Sequence, residues 1–281
     1  MISGKTKVFG LVGHPVGRSL SPAMHNELFR RRGVDAVYVA FEVHPEQAST
    51  VAVSVRTLGL AGVNLTVPFK ERVLPDLDAL SPEAEAAGAV NVVVNRQGRL
   101  VGYNTDGVGY LRALLAEMGE EVAGRDLAVF GAGGTGRAVA AAAAEAGVRN
   151  VTLYNRTLAR AEAAIAALSQ RFPQTGFRAL LLDPEVFAAE AGDHEILVNC
   201  TATGASFVGF DVGVLHRGRV WTDTNYYLAD PPLLAACVRR GLRVQQGIGM
   251  LMQQGAATFE LFTGVPVDVG AVRGVLDIGG W

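Results

Sequence analysis

Cysteine is almost missing from this chain. Two in 281 residues, Cys200 and Cys237, stand far apart without C-x-x-C spacing, which argues against both a disulfide framework and a thiolate metal knuckle. The five histidines are scattered, no H-x-x-x-H or paired-carboxylate arrangement occurs, and no metal is expected. An excess of one charge is missing as well. Lysine and arginine number 25 against 27 acidic residues, so neither a nucleic acid nor an anionic membrane surface is an expected partner. No apolar run is long and unbroken enough to span a bilayer, and the chain reaches a short apolar strand, Val8 to Val12, almost at once. The expectation is a cytoplasmic protein.

Hydrophobic residues at 49% and charged residues at 19% describe an ordinary globular protein, and the length allows two domains. Apolar periodicity predicts strands near 7–12, 36–42, 62–67 and 89–95, with helices over 22–32, 46–58 and 82–87. Alternating strands and helices imply a mostly parallel sheet. A second series follows, with strands near 126–130, 150–154, 177–182, 195–199, 219–223 and 242–246 and helices between most of them. The segment 106–118 reads as a connecting helix, and further helices are expected over 250–262 and 267–275. The fold class is therefore α/β with two domains. An N-terminal substrate domain takes residues 1–106, and a doubly wound nucleotide domain takes 107–248. Helices from about 249 to 281 are expected to pack back on the first domain, near a cleft in which a small substrate would meet the cofactor.

The most informative stretch runs from Phe130 to Gly136, F-G-A-G-G-T-G, between the apolar Leu127-Ala128-Val129 and the alanine-rich run 138–146. Gly131, Gly133 and Gly136 fit G-x-G-x-x-G in strand-to-helix context, where missing side chains permit a tight turn and close approach to a pyrophosphate. With 34 glycines the spacing alone is weak; the context strengthens it. Where an NAD-preferring domain places an acid against the ribose, this chain has Asn155-Arg156-Thr157, with Arg160 one helical turn on. Cations there favour a 2′-phosphate, hence NADP. Arg156 alone reads equally well as a solvated surface cation.

Four polar clusters in the first domain sit at strand ends or helix starts: Arg18-Ser19-Leu20-Ser21-Pro22, Asn64 to Lys70, Gly88 to Asn91, and Tyr103 to Gly107. Their hydroxyls, amides, amine and carboxylate suit a polyhydroxylated carboxylic acid. Taken singly, each has a plainer reading. Ser21-Pro22 is a good helix N-cap with proline in the first turn, and Asn104 or Thr105 would cap the connecting helix. Lys70 reads as a solvated lysine, and His25 as a packed helix residue.

Together the clusters resemble the shikimate dehydrogenase family over almost the whole chain. The likeness runs through S-L-S-P-A-M-H-N, N-L-T-V-P-F-K, A-G-A-V-N, N-T-D-G, G-A-G-G-T-G-R-A, N-R-T-L-A-R and G-I-G-M-L-M-Q-Q-G-A. The resemblance implies NADP-dependent interconversion of shikimate and 3-dehydroshikimate in aromatic amino-acid biosynthesis. It puts the catalytic lysine and aspartate on Lys70 and Asp106, and the other substrate contacts on Ser19, Ser21, Thr66, Asn91, Tyr226 and Gln254. It maps the cofactor onto Gly131, Ala132, Gly133, Gly134 and Thr135, onto Asn155, Arg156, Thr157 and Arg160, and onto Thr224 and Gly247 near the nicotinamide. Chemistry runs parallel, because hydride reduction of a ketone leaves an alkoxide that needs an acid within reach, and Lys70 is the candidate.

The chain departs from the family pattern at Arg18, where a histidine usually precedes the first serine, at Val92, and at Leu228 and Pro231 after Tyr226. A quinate or quinate/shikimate dehydrogenase is the nearest competitor. A non-catalytic nucleotide sensor is disfavoured by the presence of both Lys70 and Asp106, and a folate-linked dehydrogenase by the serine pair and N-T-D-G. A monomer and a homodimer are both compatible with the sequence.

Overall fold

β1 (Lys7–Gly13) is buried from Phe9 onward, as expected of an apolar run in a covered parallel sheet. It leads through α1 (Ser21–Arg32) to β2 (Ala36–Glu42), and then through α2 (Thr50–Thr57) to β3 (Gly62–Leu65). This computed structural model describes residues 2–201, 207–226 and 231–276. After the one-turn α3 (Phe69–Arg72), the two-residue β4 (Ala79–Leu80) and α4 (Pro82–Ala87) come β5 (Val92–Arg96) and β6 (Arg99–Tyr103). The sheet order is β2-β1-β3-β5-β6-β4.

Both of β1's pairings are parallel, as is β4 with β6, whereas β5 runs antiparallel to β3 and to β6. Periodicity alone does not anticipate β6. The hairpin joining it to β5 turns on Gln97 and Gly98, with φ of 57° and 91°, the left-handed pair that a two-residue hairpin requires. The strand expected over 62–67 ends at Leu65, where the chain turns toward α3 and Phe69 N donates to Thr66 O. The strand expected from 89 starts at Val92. Val90 donates to Lys70 O in α3 and Asn91 to Tyr103 O at the end of β6, so the preceding segment is shared between a helix and a strand end instead of running along one ladder. The helix expected over 46–58 breaks into a 3₁₀ turn at Pro45–Gln47 followed by α2.

The second series opens with α5 (Asp106–Met118) and continues with β7 (Asp126–Phe130), α6 (Gly134–Glu145), β8 (Asn150–Asn155), α7 (Leu158–Arg171), β9 (Gly176–Leu181) and α8 (Pro184–Glu190). β10 (Ile196–Asn199), β11 (Val220–Asp223), α9 (Pro231–Arg240) and β12 (Arg243–Gln245) complete it. All its pairings are parallel, in the order β12-β11-β10-β7-β8-β9. Numbered from β7, that is 6-5-4-1-2-3, the doubly wound dinucleotide-binding order, which reverses between β7 and β10. Phe130, Tyr154, Phe187, Leu197, Phe207 and Trp221 fill its core.

α10 (Ile248–Thr263) and α11 (Val269–Leu276) end the described chain. Two compact units result: the residues up to Thr105 together with those from Met252 onward, and Asp106–Leu251. In the first, Phe262 stacks on Phe9 at 4.5 Å between ring centroids, and Phe259 lies 5.4 Å from Phe29. Among the described residues no helix is long and apolar enough to cross a membrane, and no group of three or more His, Cys, Asp or Glu side chains is placed to hold a metal ion.

Candidate active site

In the second unit the glycine turn leaves the C-terminal end of β7 at the point where strand order reverses, the place where open α/β sheets bind ligands. Gly131 has φ 107°, a conformation that side chains rarely adopt, and its N–H donates to Tyr154 O at 2.7 Å. A Cβ on Gly136 would fall 1.8 Å from Gly131 O, so helix and turn meet only because that side chain is missing. Gly133 is different: a Cβ there would meet nothing within 4 Å. Packing therefore does not require glycine at 133, and the open space over it fits the close passage of a pyrophosphate. Gly133 is the N-cap of α6 and no side chain caps that helix, which leaves its first amides directed at an anion site.

Asn155, at the end of β8, ties this turn to the next loop. Its Oδ1 accepts from Ala132 N at 3.1 Å and its Nδ2 donates to Thr157 O at 2.9 Å. Arg156, Thr157 and Arg160 are exposed beyond it. Thr224 and Gly247 are also brought together. A Cβ on Gly247 would lie 2.5 Å from Thr224 O, and Thr224 is held by two bonds to Asn199 O.

Asp106 opens α5, is 4% exposed, and accepts from Thr135 Oγ1 at 3.1 Å. The carboxylate thus lies beside the first turn of α6, directly after the glycine loop. α5 and α6 touch closely at Gly107, whose Cβ would sit 2.4 Å from Ala138 O, so the alanine-rich run serves this contact. Tyr226 is half-buried at the end of the described segment 207–226, and Leu228 lies outside the described residues.

In the first unit the candidate substrate residues gather at the strand ends. Thr66 follows β3, its N–H donating to Val12 O, and Phe69 N donates to Thr66 O, starting the short helix that carries half-buried Lys70. Lys70's own carbonyl accepts from Val90 N at 2.8 Å, fixing the lysine backbone to the segment that carries Asn91. Asn91 is 2% exposed; its Oδ1 accepts from Thr105 N and its Nδ2 donates to Thr105 Oγ1, both at 2.8 Å.

Ser21 is not the N-cap that the sequence suggests. Leu20 holds that position with helical backbone angles, without a side-chain cap, and Ser21 is the first helical residue. Its N–H donates to Ser19 Oγ at 3.2 Å, which brings the two serines together. The reason is that the helix begins one residue earlier than the Ser-Pro rule places it. Asn104 Nδ2 donates to Ala89 O, and Thr105 Oγ1 accepts from Asn91 Nδ2. Arg18 is exposed, and Gln254 is half-buried on α10. His25 is packed, as expected: it is 1% exposed, it stacks on Tyr38 at 4.6 Å, and burial pushes its pKa down to about 3.

Residue-by-residue reading passed over Asn64, although it begins one of the motifs. Its side chain accepts from Tyr38 OH at 2.8 Å and donates to Asn91 O at 3.1 Å, inside the first unit's core. A polar residue in the middle of an otherwise apolar buried strand, G-V-N-L, was the available signal.

One unit carrying a reversal-point glycine turn with a buried carboxylate beside it, and a second α/β unit whose strand ends gather serines, amides and an amine, define a two-unit dinucleotide-binding protein. Comparison with known families gives the particular one. The model of the shikimate dehydrogenase substrate binding domain matches residues 11–93, and that of the shikimate 5′-dehydrogenase C-terminal domain matches residues 247–276. A protein named shikimate dehydrogenase (NADP(+)) from Symbiobacterium thermophilum is 44% identical over 275 residues, which cover 95% of this chain and 92% of the relative. The structure of shikimate 5-dehydrogenase from Thermus thermophilus in complex with NADP(H) and shikimate is similar with a TM-score of 0.82, at 38% identity, over 96% of this chain and 98% of that one. Quinate dehydrogenase from Corynebacterium glutamicum, in complex with NAD, has a TM-score of 0.84 at only 28% identity, over 96% and 98% of the two chains. The chain belongs to the shikimate dehydrogenase family.

Proposed function

We propose that this chain is an NADP-dependent oxidoreductase that reduces 3-dehydroshikimate to shikimate, reversibly, in aromatic amino-acid biosynthesis. The observation that carries the reading is the buried carboxylate of Asp106 accepting from Thr135 at the opening of the glycine-loop helix, which sets an acid–base group beside the dinucleotide turn. Bound NADPH supplies a hydride to the ketone carbon. The rest falls to the chain. Lys70 Nζ gives a proton to the oxygen that becomes an alkoxide, and takes it back in the reverse direction. Asp106 accepts a hydrogen bond from the same ring alcohol and orients it. Ser19, Ser21, Thr66, Asn91, Tyr226 and Gln254 hold the substrate's carboxylate and remaining hydroxyls.

Gly131 to Thr135 would take the pyrophosphate on the amides of α6, and Thr224 and Gly247 would hold the nicotinamide end. Asn155 to Thr157 and Arg160 take the ribose and its 2′-phosphate, the two guanidiniums supplying charge where an NAD enzyme has an acid. Two free cysteines, Cys237 buried, suit a reducing cytoplasm as the place of action, with a monomer or a homodimer as the working form. An absorbance assay at the reduced-nicotinamide band, run with shikimate or quinate against NADP or NAD, tests substrate and cofactor together. Shikimate with NADP is expected to give the highest kcat/KM. Faster turnover of quinate, or of NAD, overturns the reading.

A further inference from the structure

We propose that Thr258, a residue outside the substrate contacts named above, is a positioning residue for shikimate: its buried hydroxyl fixes Asn91 and Gln254 in their working places. The inference rests on the proposed reaction and adds a specificity determinant to it. Thr258 lies on α10, and none of its surface is exposed. On the same helix Phe259 and Phe262 meet the rings of Phe29 and Phe9, an apolar setting in which a hydroxyl needs partners. It has them. Thr258 Oγ1 lies 3.2 Å from Thr105 Oγ1 and 3.5 Å from Asn64 Nδ2.

Those two partners lead to the candidate site. Thr105 Oγ1 accepts from Asn91 Nδ2 at 2.8 Å, so the hydroxyl pair of Thr105 and Thr258 stands behind the Asn91 amide. Asn64 donates to Asn91 O and, through β3, lies two residues before Thr66. The network therefore joins α10 to the end of β3, to Asn91 and to the residue that precedes Asp106, and every member is less than 10% exposed. Gln254 is four residues earlier on α10, and so on the same helical face as Thr258. Locking Thr258 thus sets the axial position of Gln254 while it sets the direction of the Asn91 amide.

Stability alone does not call for this arrangement. Replacing both partners of a buried hydrogen bond by apolar groups of the same shape can be nearly neutral, so a core does not need the pair, whereas a satisfied polar network selects one geometry. Thr258→Val keeps the shape and deletes the hydroxyl; Thr258→Ser keeps the hydroxyl and deletes the methyl. In steady-state assays, Thr258→Val is expected to raise the shikimate KM roughly five- to tenfold, the size of one lost hydrogen bond, with kcat within about twofold of wild type and the NADP KM unmoved. Thr258→Ser is expected to restore the wild-type shikimate KM. Thr258→Ala carries the same comparison should the valine variant fail to fold.

An unchanged shikimate KM in Thr258→Val overturns the proposal. So does an equal rise in Thr258→Ser, which would assign the effect to packing, and so does a parallel rise in both KM values with a fallen Tm. If the wild-type enzyme fails to oxidise shikimate with NADP at all, the reaction assignment fails instead, and the two failures are told apart before any variant is made.

Discussion

Lys70 sits in a four-residue helix whose backbone is fixed from both sides, by Phe69 N on Thr66 O and by Val90 N on Lys70 O. A side chain so anchored brings its proton to one place. Lys70→Ala is expected to lower kcat by at least ~10² while the shikimate KM changes little, because general acid help is felt chiefly in the transition state. Turnover near wild type in that variant would remove Lys70 from the chemistry. The proposed place of Arg156 is at the adenosine end of the cofactor. Arg156→Asp is expected to raise the NADP KM and shift the kcat/KM ratio toward NAD, since a carboxylate repels a 2′-phosphate and accepts from a 2′-hydroxyl. An unchanged ratio would assign the phosphate to other residues.

At the level of elements, the glycine turn separates what folding needs from what binding needs. Gly133→Ala should fold with an unaltered Tm, because its Cβ meets open space, yet raise the NADP KM about tenfold or more by filling the pyrophosphate path. Gly136→Ala drives a methyl into Gly131 O and should cost stability itself, by about 1–3 kcal/mol or more, visible as a fallen Tm without any ligand. A second element-scale expectation concerns α1. Burial keeps His25 neutral and pushes its pKa down to about 3 from the ordinary 6.5, so below pH 6.5 the unfolded chain binds a proton that the folded one refuses. Stability is then full above pH 6.5 and falls as the pH drops toward 3. Burial shifts His194 in the same direction, and the two add. Urea unfolding of His25→Leu between pH 7 and pH 4 should show a flatter decline than wild type; an identical slope would contradict the assignment.

At the scale of the whole molecule, saturating NADP should stabilise the protein by mass action, about 2.7 kcal/mol at a hundredfold excess over Kd, and raise Tm accordingly. NAD at the same concentration should do less. The broad plan was readable before any coordinates, and for physical reasons. The second unit's central strands β7, β10 and β11 are buried almost end to end and so appear as largely apolar runs, and its turn needs glycine at 131 and 136. Smaller features escaped because their causes are tertiary or only two residues long. β6 depends on the left-handed pair Gln97-Gly98, Ser21 yields the cap position to Leu20, and the Asn64–Thr105–Thr258 network joins residues far apart in sequence, which no local pattern reveals.

The first unit is assembled from the two ends of the described chain, with Asp106–Leu251 spun out between them. A ribosome releases that middle stretch before the residues that cap the opening domain. The early sheet must therefore wait, with Phe9 and Phe29 short of ring partners until Phe259 and Phe262 emerge. Premature termination between Leu251 and Phe259 would leave a nascent product whose dinucleotide half is in hand and whose substrate half is unsealed, a natural client for chaperones and proteases.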